Sequence, residues 1–418
     1  MKLFRTLISY DKALQVVVAH AHRIGAEPIR FDEAVNRVLA EDVRSPIDSP
    51  PFDRAAMDGY AVRGEDSFGA TPRTPVTLKL IRSLLAGESG LQQEVRAGEC
   101  APIATGMQIP KGSNAVVMLE YTKERGDMVD IYKPVTPGKN VSARGEDVKQ
   151  GEIVLKAGKR LRPHDIGLLA SLRQTTVRVY RKARIGILST GDELFDPTKL
   201  SQDEAATPDL TSKKIADANS YVLTALTQFI ASPYRIGIVR DDYTAILNSI
   251  RQSLEGTCEV LLVTGGSSVG SRDYVADAVE ELGEVLFHGV AIRPGEPVGF
   301  GLITSKPIFI LPGYPVATIA AFELLVRPFL YALHGLEDER RIINATARKK
   351  IPSTVGRTDF VRVRVVRDGY EYTVEPVRVS GSGILSSMTK SNGFAVIAAN
   401  KEGVEEGDRV AVTCYTDL

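Results

Sequence analysis

Residues 259–282 read EVLLVTGGSSVGSRDYVADAVEEL. Glu259 to Val263 is a short apolar run of the buried-strand type. Tyr274 to Leu282 has helical texture. Between them, Thr264-Gly265-Gly266-Ser267-Ser268-Val269-Gly270-Ser271-Arg272-Asp273 joins a strand end to a helix start. Strand, glycine-rich loop and helix in that order form one unit of an α/β sheet. The same alternation continues on both sides. Upstream, Arg184 to Leu188 reads as a strand, Tyr221 to Ile230 as a helix, Tyr234 to Val239 as a strand and Tyr243 to Leu254 as a helix. Downstream, strands are expected at Val285 to His288, Val298 to Leu302 and Ile308 to Leu311. A long helix is expected to open at Pro315, with Pro in its favoured first position, and Pro328 should kink or interrupt it. The pattern predicts a doubly wound parallel sheet covered on both faces, over residues 180–335.

The flanks differ in texture. Tyr10 to Ile24 has the spacing of a helix, with Leu14, Val17, Val18 and Ala21 on one side and Gly25 as the stop. Ser45-Pro46-Ile47-Asp48-Ser49-Pro50-Pro51 marks a boundary, because no helix continues through it. From there to about Glu146, short apolar runs broken by Gly and Pro predict a β-rich segment. Its hairpin is expected where Ala115 to Leu119 and Met128 to Tyr132 flank Arg125-Gly126-Asp127. Pro163-His164-Asp165 precedes a helix-like run to Leu172, and Thr176 to Tyr180 reads as a strand. Near the end, Phe360 to Val365 alternates apolar and polar, Asp368-Gly369 offers a tight turn, and Tyr370 to Val374 returns. A small β domain is the natural reading there.

At 418 residues the chain exceeds one ordinary core, so several domains are expected. Lys plus Arg is 52 and Asp plus Glu is 52, so there is no basic surplus of the kind a nucleic-acid binder carries. No apolar run approaches the roughly 18 residues that cross a bilayer, and the N-terminus lacks a leader pattern. These features predict a cytoplasmic protein with neither nucleic-acid nor membrane partners. Cys100, Cys258 and Cys414 show no CxxC spacing, which argues against a disulfide framework or structural zinc.

Three strand-end loops carry the chemistry. In the first, Gly265, Gly266 and Gly270 let backbone approach a ligand closely, Ser267 and Ser268 add hydroxyls, and the following helix N-terminus favours an anion. It is neither a P-loop nor G-x-G-x-x-G, and a plain strand-to-helix turn is the alternative. In the second, Ser189-Thr190-Gly191-Asp192-Glu193, two carboxylates could hold Mg²⁺, although Thr-x-x-Glu is also a capping box. The third is Leu311-Pro312-Gly313-Tyr314-Pro315. Nearby in sequence, Arg293 could grip phosphate or an oxyanion, or be a surface charge. Asp58 beside Gly59, in Pro50-Pro51-Phe52-Asp53-Arg54-Ala55-Ala56-Met57-Asp58-Gly59-Tyr60, could be catalytic or a turn former. Arg144-Gly145-Glu146-Asp147 has the same ambiguity. His288 lies on a buried strand pattern and reads as structural.

Taken together, these segments resemble one family, the molybdopterin molybdenumtransferases of the MoeA and gephyrin E-domain group. The resemblance runs nearly end to end: PPFDRAAMDGYAVR at 50–63, Ala104-Thr105-Gly106, RGED at 144–147, STGDEL at 189–194, Asp217-Ala218-Asn219-Ser220, residues 264–273, His288-Gly289-Val290, residues 311–315, Gly356 to Phe360 and Gly381-Ser382-Gly383. It implies a split first domain at 1–45 plus 148–179, a β-rich insertion at 46–147, the α/β molybdopterin- and nucleotide-binding domain at 180–335, and a C-terminal β domain at 336–418. It implies an elongated homodimer in which the Asp58 loop reaches the partner's α/β domain. The reaction implied joins molybdate to adenylylated molybdopterin and releases AMP, with Mg²⁺.

By the same resemblance, Asp58, Glu193 and Asp273 are the catalytic candidates, and Thr105 and Asp217 are expected to bind substrate. The strand-end loops add Thr190, Gly265, Gly266, Ser267, Ser268, Gly270, Arg293, Pro312 and Pro315 as expected substrate contacts. Asp147, Glu193 and Asp217 ligate metal, and the molybdopterin adenylyltransferase is a candidate partner. The family commonly carries K-P-G-K-P and L-P-G-N-P. Here Arg293 and Glu296 replace the two Lys, and Tyr314 replaces Asn, so molybdate and tungstate both stay open as substrates. The alternatives are a related adenylyltransferase or CinA-like nucleotide hydrolase, or a dimeric pterin-binding scaffold without turnover.

Overall fold

A computed structural model describes residues 7–81, 94–202, 213–265, 273–338, 340–378 and 380–415. The chain divides into two compact units, one of residues 26–179 and one of residues 1–25 with 180–418.

The larger unit is built on a six-stranded sheet. Its strands are β1 (Arg184–Thr190), β2 (Ser232–Val239), β3 (Val260–Thr264), β4 (Glu284–His288), β5 (Gly299–Ile303) and β6 (Lys306–Leu311), in the order β2-β1-β3-β6-β5-β4. Period-two alternation buries both faces. Val260, Leu262, Phe309 and Leu311 enter one core with the helical run from Pro315. Leu261, Val263, Ile308 and Ile310 enter the other with helices Tyr243–Glu255 and Tyr274–Leu282. The pairs β1–β2, β1–β3 and β3–β6 are parallel, as the alternation of strands and helices requires. The last two pairings depart from the all-parallel expectation: β5 runs antiparallel to β4 and β6. The cause is local. Thr304 and Ser305 both adopt positive φ (48° and 65°) and close a two-residue hairpin, leaving no room for a crossover helix.

The run from Pro315 to Leu333 is the helix expected there, and the predicted interruption takes a specific form. Phe322–Val326 is a π-turn, in which the Arg327 N–H donates to Phe322 C=O. Pro328 has no N–H to give to Glu323 C=O, and the Arg340 guanidinium donates to that carbonyl instead. One sequence expectation needs correction here. This 19-residue stretch is long and apolar enough to span a bilayer, yet most of it is buried inside the protein. It is apolar because it packs against a sheet face.

A second departure concerns Tyr10–Ala19, expected in the split first domain. Ala13 and Val17 instead pack into the core beneath the α/β sheet, and Ile8 pairs with Val290. In the C-terminal part, strands Thr358–Asp368, Glu371–Arg378, Ile342–Ala347, Arg409–Cys414 and Gly393–Ile397 pair in that order, and the last pairs back onto the first. They enclose an apolar core of their own. Asp368 opposes Glu371, so the turn is Gly369-Tyr370, one residue beyond the expected pair.

In the 26–179 unit, Leu39, Val43, Leu155, Leu161, Leu169 and Val177 share one core. A six-stranded sheet (Gly59–Val62, Val76–Leu80, Glu99–Ile103, Ala115–Met118, Thr122–Arg125, Met128–Ile131) encloses another. The hairpin joins Thr122–Arg125 to Met128–Ile131, while Ala115–Met118 pairs with Gly59–Val62.

Candidate functional site

After β1 the chain builds β2 on one side of it, and then crosses to place β3 on the other. A crevice at the carboxyl ends of β1 and β3 follows from that reversal. Thr190, Thr264 and Leu311 end the three central parallel strands there. Thr264 Oγ1 lies 3.2 Å from Ser189 Oγ, Thr190 Oγ1 donates to Thr264 C=O (3.3 Å), and Gly265 N–H donates to Leu311 C=O (3.2 Å). Gly265 has φ +102°, and a Cβ there would lie 2.3 Å from the Thr190 carbonyl oxygen. Glycine is therefore dictated by the closeness of two strand ends as well as by its backbone angle. Gly266, Ser267, Ser268 and Gly270 lie outside the described residues.

The third loop is tied into the same place. Asn219 Nδ2 donates to Gly313 C=O (2.8 Å), and Thr318 Oγ1 donates to the carbonyls of Pro312 (2.5 Å) and Tyr314 (3.1 Å). Pro315 takes the first helical position. Asp217 caps the helix Ala218–Thr227 by accepting from Ser220 N–H (3.1 Å), which is the structural role its position allows. Behind that cap, Asn219 Oδ1 and Ser220 Oγ are buried without hydrogen-bond partners. Beside that helix N-terminus the Ser220 hydroxyl can donate to a polar or anionic ligand, whereas the Asn219 amide oxygen can only accept from a ligand donor. Neither residue had drawn a role from the sequence.

Asp273 caps the helix Tyr274–Leu282 through Ala276 N–H (3.1 Å), and its other oxygen lies 3.3 Å from Nε2 of buried His288. The histidine read as structural thus touches a candidate catalytic carboxylate. Glu193 caps no helix: the chain turns through Gly191 and enters the strand Leu194–Phe195, so the capping-box alternative is not realised. Its carboxylate folds over Gly191, where a Cβ would lie 2.7 Å from Oε2. Asp241, just past the end of β2, was missed. Although Asp241 is exposed, partial desolvation first, and then the charges of Glu193 and Asp192, push its carboxyl above the ordinary carboxylate range. The signal lay in its place after Val239, since strand ends of this sheet collect the site. Among the described residues, no three His, Cys, Asp or Glu side chains form a ready-made metal cage.

Arg293 is not a free cation. Its guanidinium pairs with Asp359, which is 1% exposed, and Asp359 also accepts from Ser353 Oγ (2.8 Å). Parallel pairing of Ile292–Arg293 with Thr358–Asp359 brings the two together. The guanidinium is thereby tied to the C-terminal strands, while its Nε is buried without a hydrogen-bond partner. The Glu296 carbonyl accepts from Val290 N–H in the adjoining turn.

In the 26–179 unit, Asp58 Oδ1 accepts from both Thr105 N–H (2.7 Å) and Thr105 Oγ1 (2.8 Å). These bonds, the N–H first, hold the exposed carboxyl below its ordinary range, so it is ionised at neutral pH. Gly59 permits the arrangement, because a Cβ there would lie 1.9 Å from the Val117 carbonyl oxygen. Asp147 is exposed, and its N–H donates to Ser49 C=O (3.0 Å). Arg144 N–H donates to Asp53 Oδ1 (2.7 Å), fastening the Asp53–Asp58 loop to the RGED turn.

Comparison with known proteins matches the chain in three consecutive blocks: MoeA N-terminal region (domain I and II) over residues 8–172, "Probable molybdopterin binding domain" over 186–332, and MoeA C-terminal region (domain IV) over 344–415. A molybdopterin biosynthesis protein of Methanocaldococcus jannaschii is 41% identical over 99% of both chains. A molybdopterin molybdenumtransferase of Haemophilus influenzae is 32% identical over 94% of both. The crystal structure of a molybdopterin biosynthesis MoeA protein from Pyrococcus horikoshii superposes with a TM-score of 0.81 at 35% identity, covering 98% of this chain and all of that one.

Proposed function

Because the chain belongs to the MoeA family of molybdopterin molybdenumtransferases, we propose that it inserts molybdate, or tungstate, into adenylylated molybdopterin and releases AMP. The transferase reading accounts for the whole chain. A lone adenylyltransferase or nucleotide-hydrolase domain would need neither the Asp58 loop nor the C-terminal strands. The observation that carries it is the convergence of the Thr190, Gly265 and Gly313 loops at the switch point of a sheet matched to a molybdopterin-binding domain.

Each residue has a chemical part. Thr190, Gly265 and the Ser220 hydroxyl receive the anionic end of the substrate, close to the N-terminus of the helix Ala218–Thr227, while the Asn219 amide oxygen is free to accept from a substrate donor. Asp273, 3.3 Å from His288 Nε2, fixes the start of the next helix by accepting from Ala276 N–H. Asp58 is an ionised carboxylate with one oxygen committed to Thr105 and the other open, which suits charge stabilisation. The donor set at Glu193 and Asp241 fits magnesium, a hard cation that takes one or two carboxylates and completes its shell with water and phosphate. Magnesium there would neutralise phosphate charge and relieve the repulsion that raises Asp241.

The protein acts as a cytoplasmic homodimer that receives its substrate from the molybdopterin adenylyltransferase. The support is the family resemblance, in which the Asp58 loop of one subunit completes the α/β site of the other. Purified protein given adenylylated molybdopterin should release AMP when molybdate or tungstate is added, and the two rates give the metal preference. Asp58→Asn should abolish release at nearly unchanged stability. Failure of the intact protein to release AMP with either oxyanion refutes the reading. Light scattering that finds an active monomer refutes the dimer.

A further inference from the structure

Tyr314 is a residue of the strand-end site that the proposed reaction leaves unused. Its backbone is fixed: its carbonyl accepts from Thr318 N–H (2.9 Å) and Thr318 Oγ1 (3.1 Å), and two residues on Val316 N–H donates to Ser382 C=O (2.9 Å). Its ring lies beside Gly383, where a Cβ would fall 3.4 Å from Cδ1 and 3.6 Å from Cε1, in ordinary contact. Even so, the side chain is 66% exposed. An aromatic ring with few rotatable bonds, on a backbone held by these hydrogen bonds and flanked by Gly383, offers a flat partner an open face at low entropic cost. It directly follows Gly313, whose carbonyl is tied to Asn219 at the mouth of the crevice.

Resting on the transferase reading above, we propose that Tyr314 is a specificity-determining residue whose open ring face stacks on a planar heterocycle of the adenylylated molybdopterin. The substrate carries two such rings, the adenine and the pterin. Stacking recognises either through its π-face and needs no hydrogen bond from the phenol.

The test is calorimetric titration of adenylylated molybdopterin, AMP and a simple pterin into the intact protein and its Tyr314→Phe and Tyr314→Leu variants. Phe keeps the ring face, whereas Leu keeps an apolar contact with Gly383 and loses the face. Phe should bind adenylylated molybdopterin within about two-fold of the parent, and Leu about 5- to 150-fold more weakly, the span one stacked ring supplies. Melting temperatures of both variants should stay near the parent's. Tyr314→Asn, the residue the family commonly carries, replaces Leu if Leu does not fold. A loss confined to AMP assigns the adenine to Tyr314, and a loss confined to the pterin assigns the pterin. Parent-like binding by Leu, or equal loss in Phe and Leu, overturns the proposal while leaving the transferase reading standing. A parent protein that binds no adenylylated molybdopterin overturns both.

Discussion

Replacing Gly265 by Ala tests whether the site rests on a close approach between two strand ends. Two costs apply. The backbone at φ +102° disfavours any side chain, by about 1–3 kcal/mol. In addition, the new Cβ would sit 2.3 Å from the Thr190 carbonyl oxygen and 2.5 Å from its Oγ1, far inside contact distance. Moving a strand end aside to admit one methyl group costs about 1–3 kcal/mol more. Gly356 is a built-in control in the same unit. Its φ is +99° and a Cβ there meets nothing within 4 Å, so Gly356→Ala carries the first cost alone. At about 2–4 °C per kcal/mol for a domain of this size, Gly265→Ala should melt about 2–12 °C below Gly356→Ala. Calorimetric melts of the two variants measure the difference. The displaced Thr190 should also weaken binding of adenylylated molybdopterin, which Gly356→Ala should spare. Equal melting temperatures with equal binding would refute the argument that contact at Thr190, rather than backbone angle alone, dictates glycine.

Thr105→Val removes the hydroxyl donor to Asp58 and leaves the N–H, so the carboxyl should rise part of the way to its ordinary value. A depressed carboxyl is ionised until pH falls through its lowered value, so the acid limb of the rate profile should move to higher pH. An unmoved limb would separate Asp58 from that limb. Glu193→Gln removes one of the charges raising Asp241, whose titration by carboxyl NMR should fall towards the ordinary range without reaching it, since partial desolvation, the larger cause, persists. An unchanged Asp241 titration would show that the two do not interact. Arg293→Ala strips buried Asp359 of its cation and should cost about 3 kcal/mol by urea denaturation, with oxyanion binding little changed. The reverse pattern would put Arg293 back in the anion path.

The α/β core was legible because burial on both sheet faces leaves near-continuous apolar runs, and helix Tyr274–Leu282 falls on the residues the pattern marks. The antiparallel β5 was not legible as such. Val298 to Leu302 and Ile308 to Leu311 read as strands, but direction depends on Thr304 and Ser305 adopting positive φ, and neither residue type signals that. The hairpin partner of Met128–Ile131 was misread for a related reason. Polar Thr122–Arg125 pairs on a solvated edge and leaves no apolar trace, while the apolar Ala115–Met118 lies inside the sheet.

Sequence by itself determined which chemistry the chain holds: glycines where backbone must come close, carboxylates after strand ends, and motifs in the order one enzyme family uses. Those features are local, set by residue type and spacing, and survive without knowledge of any long-range contact. Which charges are available was decided only by tertiary structure. Arg293 and Asp359 lie 66 positions apart, and a parallel strand pairing places a buried carboxylate against the cation that the sequence offers an anion. Asp241 and Glu193 repel because β2 lies beside β1. His288 reaches Asp273 because β4 ends where that helix begins. A side chain's charge is written in the sequence, but its partner is set by the fold, and the partner decides whether that charge meets a ligand.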